Sequence, residues 1–408
     1  MMNEEELPMC KYCNSVKVIK WGIRSLQDGG KVQTYFCGNC RRKFTVALDE
    51  KLSTQQALTE GLIPEAILEQ IFIAPDGQIP PLPIENYGQK WPAYNQAQTQ
   101  EKLLFMELLE DLASLIPENE ERRRGRPSPC MRDMLYACVI KVYEGLSYRR
   151  AHSDIDIARS RGYLPKTPHY NTISKFLRKP EMAPLLTALV RISAMPLSGF
   201  EDTIAVDGSG LSSAFYSRWL DYRFGKNARI RDWLKIHIAV GVKSGIVTAI
   251  KVTDGKASDS PQFPALVQET AEGFSVETVC ADKGYSSRNN LQVAWDLGIA
   301  PFIDFKSSTT GKKLGSIAWR KMFHYYQYNR EQFMAVYHQR SNVESAFSSL
   351  KRKFNGKLFS KTEAAQVNEA LAKILCHNIV VLIHESFENN VPIDIQAAAH
   401  KLPLLTTK

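Results

Sequence analysis

Residues 202–210, DTIAVDGSG, run apolar until they stop on Asp207, and the rest of the chain can be read outward from that stop. A short apolar run bounded by Gly and Ser reads as a buried strand. An acid at its end sets a carboxylate on the rim of a sheet, where α/β sheets carry their sites. Downstream, LKIHIAVGV (234–242) and IVTAIKVTD (246–254) read as a hairpin around Lys243-Ser244-Gly245. PQFPALVQETAEGF (261–274) reads as a helix, and VETVCADKGY (276–285) as a strand ending on Asp282. SRNNLQVAWDLG (287–298) is a further helix and APFIDF (300–305) a fifth strand.

A helix closes the series. In YHQRSNVESAFSSLK (337–351), Tyr337, Arg340, Glu344 and Lys351 recur at helical spacing. At about 100° per residue, their side chains fall within about 60° of one another. Val343, Phe347, Leu350 and Phe354 form an apolar stripe beside them that can seat the helix on a core. Taken alone, this is an ordinary amphipathic helix with solvated charges. After two strands that end in Asp, it brings a third carboxylate to the same rim. The order β-β-β-α-β-α-β-α is that of a ribonuclease-H-like core, a mixed five-stranded sheet with flanking helices.

Phosphodiester chemistry suits such a rim. Two divalent ions about 3.5–4 Å apart activate a nucleophile and stabilise the leaving oxygen, and hard oxygen ligands hold them. No His cluster accompanies the acids, so Mg²⁺ is the natural ion. His237 reads as a packed or hydrogen-bonded core residue. Asp254 and Asp259 lie in the turn-rich TDGKASDSP and read as turn or capping residues. Asp304 ends a strand and competes for a place in the site.

Residues 100–198 read as helical: EKLLFMELLEDLASLI, CMRDMLYACVIKVYEGLS and HYNTISKFLRK. The stretch 146–179 is compatible with a helix-turn-helix reading DNA through Tyr170–Lys179. Arg122, Arg123, Arg124 and Arg126, in ERRRGRPSPC, fit either a minor-groove arm or a solvated loop. Residues 51–99 read as a tether, with one short helix ahead of a stretch dense in Pro and Gly. Residues 1–50 carry Cys10-x2-Cys13 and Cys37-x2-Cys40 around a hairpin turning at QDGG. Each pair can offer two thiolates to a tetrahedral ion, so a zinc ribbon holding one structural Zn²⁺ is expected. Its cationic residues fit contact with nucleic acid or with protein. The other four cysteines lie in apolar surroundings and read as small hydrophobes.

The 408 residues exceed one typical core, and 44% hydrophobic with 23% charged residues is a globular composition. A net charge of +9 favours a polyanionic partner. The acidic start is no signal peptide, and no apolar run of about 18 residues stands out, so a cytoplasmic protein without membrane contact is expected.

Asp207 in AVDGSG, Asp282 in ADKGYSS and Glu344 in Y-x2-R-x3-E-x6-K resemble the triad of bacterial and archaeal insertion-sequence DDE transposases, in the group named for that Tyr-Arg-Glu-Lys pattern. The resemblance covers roughly 200–385 and extends to the preceding helical segment. It implies a catalytic domain over 199–390 with a tail at 391–408, and Mg²⁺ or Mn²⁺ dependence. It also implies double-stranded DNA as partner, a homodimer on paired ends, and a prokaryotic, nucleoid-associated location. Carried over, Asp207, Asp282 and Glu344 are metal ligands, and Tyr337, Arg340 and Lys351 grip phosphates. Only about sixty residues separate Asp282 from Glu344, so the large β insertion of some relatives must be shortened or missing. Trp319 reads as a packing residue. The implied activity is cleavage of element ends and joining of the 3′-hydroxyl to target DNA. The alternatives are a nuclease that cuts without joining and a non-catalytic DNA-binding regulator.

Overall fold

The computed structural model describes residues 9–10, 13, 15–25, 31–47, 90–117, 129–213, 233–312 and 314–402. The chain divides into two compact units, Met1–Phe72 and Ile73–Lys408. Arg122, Arg123, Arg124 and Arg126, and the short helix expected in the tether, lie outside the described residues.

In the first unit, β1 (Val18–Ser25), β2 (Lys31–Cys37) and β3 (Lys43–Ala47) form an antiparallel sheet in that order. The expected hairpin pairs Val18 with Cys37 and Ser25 with Lys31, with a register shift between Lys20 and Gly22. The third strand, KFTVA, is an addition to the sequence reading. Its alternation spans too few residues to separate it from the basic loop before it. Among the described residues, Cys10, Val18, Tyr35 and Cys37 form a small buried apolar cluster here.

The second unit begins with α1 (Trp91–Ser114), α2 (Met131–Tyr143), α3 (His152–Ser160), α4 (Tyr170–Phe176) and α5 (Met182–Ala194). Helix α1 starts inside the stretch read as tether. Pro92 stands in its first turn, where a missing N–H costs nothing, so WPAYN opens a helix instead of breaking one. Residues 161–169 join α3 to α4, a longer connection than the roughly three- to four-residue turn of a helix-turn-helix. Helix α4 ends at Phe176, short of Lys179. The expected reading-helix geometry is therefore corrected.

The sheet follows the expected order. It comprises β4 (Thr203–Ser212), β5 (Trp233–Gly241), β6 (Val247–Asp254), then α6 (Phe263–Ala271), β7 (Thr278–Ala281), α7 (Arg288–Asp296) and β8 (Ala300–Ile303). Its spatial order is β6-β5-β4-β7-β8. The first three strands are antiparallel, while β7 and β8 run parallel to β4. This is a mixed five-stranded sheet flanked by helices and preceded by a helical region, consistent with a ribonuclease-H-like fold.

Two helices absent from the sequence reading, α8 (Ile317–Tyr328) and α9 (Arg330–Tyr337), come before α10 (Ser341–Phe354). Among the described residues between Asp282 and Glu344, the only strand is β8. Trp319 packs as expected. Its Nε1 donates to the Thr310 carbonyl at 3.0 Å, and its ring meets Phe305 edge-on.

Helix α11 (Glu363–Glu388) runs through the core, and α12 (Ile395–Lys401) packs on α5 and α1. By length and composition α11 could cross a membrane, which corrects the reading that no such run exists. Here protein covers it, since residues 368–380 are buried without a break. Asn378 ties it to both layers, donating to the Val190 carbonyl at 3.1 Å and the Val247 carbonyl at 2.8 Å, and accepting from Val247 N–H. Asn368 does the same for the carbonyls of Leu177 and Lys179. The helical region, the sheet and the C-terminal helices thus share one hydrophobic core.

Candidate active site and cysteine cluster

The parallel pairing of β4 with β7 sets the geometry of the rim. Val206 pairs with Ala281, and Ala281 pairs with Ile303. The next residue on each strand is an acid: Asp207, Asp282 and Asp304. Adjacent strands lie about 4.8 Å apart, so Asp207 and Asp282 are neighbours and Asp304 stands one strand farther from Asp207. Burial pushes the Asp207 carboxyl above the usual carboxylate range, and the charge of Asp282 pushes it the same way. The Gly208 N–H, donating at 2.7 Å, and the nearby Arg340 guanidinium oppose that rise. Asp282 accepts from the Gly284 N–H at 2.7 Å, which fixes the turn Lys283–Tyr285.

The Tyr337–Lys351 stretch is not one α-helix. Tyr337 closes α9, His338–Arg340 form a tight 3-10 turn, and α10 starts at Ser341. Ser341 Oγ donates to the His338 carbonyl at 3.0 Å, a local bond that competes with the regular ladder. Torsions stay helical at Tyr337, Arg340 and Ser341, so the shared direction of the side chains survives the change in winding. Val343, Phe347, Leu350 and Phe354 are all buried as expected. Burying each such side chain is worth roughly 1.5–3 kcal/mol, enough to hold α10 against β4.

The 3-10 turn packs against both β4 and β7. Arg340 Nη2 lies 3.0 Å from Glu344 Oε1, and its charge also reaches Asp207. The structure therefore brings Asp207 and Asp282 together, while Glu344 pairs with Arg340 and does not join them in one cluster of ligand atoms. The Glu344 side chain is 60% exposed, free to turn once that pair opens. Lys351 Nζ donates to Ser209 Oγ at 2.6 Å, two residues beyond Asp207 on β4. Burial raises the Tyr337 phenol, and the charges of Asp304 and Asp282 act in the same sense.

A second group adjoins the acids. Asp259 was read as a turn or capping residue, yet its side chain caps nothing. Its Oδ1 lies 2.6 Å from Lys235 Nζ, and 3.1 Å from His237 Nδ1 without hydrogen-bond alignment. His237 is wholly buried, its Nε2 2.8 Å from Thr253 Oγ1, as the core reading expected. Asp254 does form an Asx turn, accepting from Lys256 N–H at 2.8 Å. Gly208 makes the close packing possible, since a Cβ there would stand 2.6 Å from Asp259 Oδ1. Tyr285 completes the group. Burial raises its phenol, Asp207, Asp259 and Asp282 add to that, and its hydroxyl has no hydrogen-bond partner among the described residues. Sequence spacing gave no sign of this cluster, because its members meet only through sheet pairing.

Half-buried carboxylates side by side repel, and a divalent cation relieves that repulsion. The donor set is all oxygen, as a hard ion requires. Asp207 and Asp282 could supply two such ligands, while no three acids among the described residues bring their oxygens within 4.8 Å of one another.

In the first unit, Cys10, Cys13, Cys37 and Cys40 gather with all four Sγ within 4.8 Å of one another. Cys10 faces Cys40, and Cys13 faces Cys37, each at 3.6 Å. Tetrahedral Zn–S bonds of about 2.3 Å place sulfurs about 3.8 Å apart, so the thiols fit that ion. Hydrogen bonding from the Cys40 backbone brings the Cys37 thiol down to about 6, which favours a thiolate, while burial pushes Cys40 up to about 12. Cys138, Cys280 and Cys376 are buried free thiols, and Cys130 is half-buried.

Residues 198–379 match the family model of the transposase DDE domain. The match supports a DDE transposase. It spans β4 through most of α11, and so contains every acid on the rim. A domain of this family implies DNA as substrate and a divalent metal in catalysis. No solved structure matches the chain.

Proposed function

We propose that this protein is a DNA transposase that cleaves insertion-element ends and joins the freed 3′-hydroxyl to target DNA. The reading rests chiefly on one observation, the register that puts Asp207 beside Asp282 with Asp207 held above the usual carboxylate range. Asp207, Asp282 and Glu344 are the metal ligands. Bound Mg²⁺ or Mn²⁺ would activate first water and then the 3′-hydroxyl, and stabilise the leaving oxygen. Glu344, now paired with Arg340, would be the third ligand. Arg340 carries a planar fork suited to a phosphate. Tyr337 and Lys351 flank it, the lysine steadied by Ser209. Asp259, neutralised by Lys235, buttresses Gly208 and takes no part in ligation.

The four cysteines hold one structural Zn²⁺, and the active assembly is a homodimer on paired DNA ends. Arg122, Arg123, Arg124 and Arg126 add a minor-groove contact. The test is a cleavage and joining assay on the inverted repeats that flank the coding region, with Mg²⁺. Asp207→Asn, Asp282→Asn and Glu344→Gln should each abolish both steps while DNA binding persists. Cleavage without joining would identify a nuclease, and binding without cleavage a regulator.

A further inference from the structure

An open cleft of about 780 Å³ lies on the helical part of the second unit, where Leu146–Ser153 and the start of α4 meet. It lies within the stretch 146–179 discussed above and is separate from the rim acids. Arg149 and Arg150 line it with His152, His169 and Tyr170. Neither arginine side chain has a carboxylate partner among the described residues. The one acid in the lining, Asp156, is paired with Arg159: its Oδ1 accepts from Arg159 Nε at 2.9 Å and from Thr167 Oγ1 at 2.6 Å. The walls therefore carry two uncompensated guanidinium charges.

They are also partly preorganised. The Arg149 guanidinium lies over the Tyr170 ring, 5.2 Å from its centre, and the His169 ring lies 4.0 Å from the same ring at 33°. A guanidinium stacked on an aromatic face keeps its N–H edge free, and less freedom is lost when that edge is used. His169 Nδ1 accepts from the Asn171 N–H at 3.2 Å, so the neutral ring carries its proton on Nε2, the remaining donor. Donors on several sides, with the one acid of the lining balanced by Arg159, suit an anion, and planar forks match phosphate oxygens.

We infer that this cleft seats the sugar-phosphate backbone of DNA, with Arg149 and Arg150 each pairing with a phosphate, held in place by Tyr170 and His169. The inference rests on the transposase reading for its choice of polyanion. It assigns a positioning contact that reads no sequence.

The experiment measures binding of the full-length protein to a duplex of arbitrary sequence over a range of salt concentrations, by fluorescence anisotropy. Each phosphate contact contributes about 0.9 to the slope of log K against log salt. R149Q/R150Q is expected to flatten that slope by about 1.8, and to weaken binding about equally on element-end and arbitrary duplexes. Tyr170→Phe should bind like the parent, and Tyr170→Ala should lose affinity. An unchanged slope in R149Q/R150Q overturns the inference while leaving the transposase reading intact. A parent that binds no DNA overturns both. Saturable micromolar binding of dAMP, lost in the double variant while DNA binding is unchanged, would assign the cleft to a free nucleotide and overturn it as well.

Discussion

At the scale of single residues, Asp207 and Asp282 carry the account. Both were legible in the sequence as acids that end an apolar run. Strand β4 nevertheless continues past Asp207 to Ser212, and it is the pairing with β7 that stops at Val206 and leaves Asp207 beside Asp282. The Asp259, Lys235 and His237 cluster was not legible, since a turn-rich segment conceals which side chain folds back under the sheet. Burial and the nearby Asp282 hold Asp207 above the ordinary carboxyl value of roughly 4. Its contribution to stability is therefore fully present at low pH and is lost as pH rises through the raised value. Metal-free Asp207→Asn should unfold at a higher temperature than the parent near about pH 8, and the gap should close towards about pH 4. A lower melting temperature near neutrality would mark Asp207 as a structural acid. Protons also compete with the cation at this carboxylate, so raising Mg²⁺ should move the acid limb of the pH–rate profile to lower pH. A limb that ignores Mg²⁺ contradicts that.

At the scale of elements, the β-β-β-α-β-α-β series was readable because each strand is short, apolar and bounded by turn residues. Helices α8 and α9 were missed, as their aromatic residues (Phe323, Tyr325, Tyr326 and Phe333) pack on Phe302 and Phe305 without a clean period. The apolar stripe of α10 was read correctly, but not the tight turn before it, which depends on Ser341 and on packing against β4 and β7. Gly208 lets β4 pass Asp259 closely, so Gly208→Ala should cost about 1–3 kcal/mol by overpacking and lower cleavage as well. Thermal unfolding beside activity checks it, and an active variant of parental stability would mean the strand relaxes freely. Glu369 anchors the segment after α10. Buried in α11, it accepts from the N–H groups of Phe359 and Ser360 and lies 3.6 Å from the buried Lys373. Glu369→Ala should destabilise by about 3–5 kcal/mol, because it leaves the Phe359 and Ser360 N–H groups unpaired and the buried Lys373 ammonium with carbonyl partners but no counter-charge. Denaturant titration would reveal a smaller loss if water replaces the carboxylate.

At the scale of the whole molecule, the cysteine spacing disclosed the thiol cluster of the first unit, since two knuckles need only short-range geometry. The shared core of the second unit was not visible in the sequence, because α11 joins helices and sheet through contacts far apart along the chain. The cysteine cluster predicts about one zinc per chain, measurable by elemental analysis of the purified protein. Cys37→Ser should lose the metal and unfold the first unit, and a metal-free protein with that unit intact would refute the site. The central claim is that Asp207, Asp282 and Glu344 converge on divalent cations. Anomalous diffraction from Mn²⁺ in crystals of the DNA complex tests it most directly. The account predicts two peaks about 3.5–4 Å apart, with Asp207, Asp282 and Glu344 among the ligands and Arg340 turned to a phosphate. Peaks elsewhere, or Glu344 still paired with Arg340 beside a filled site, would contradict it.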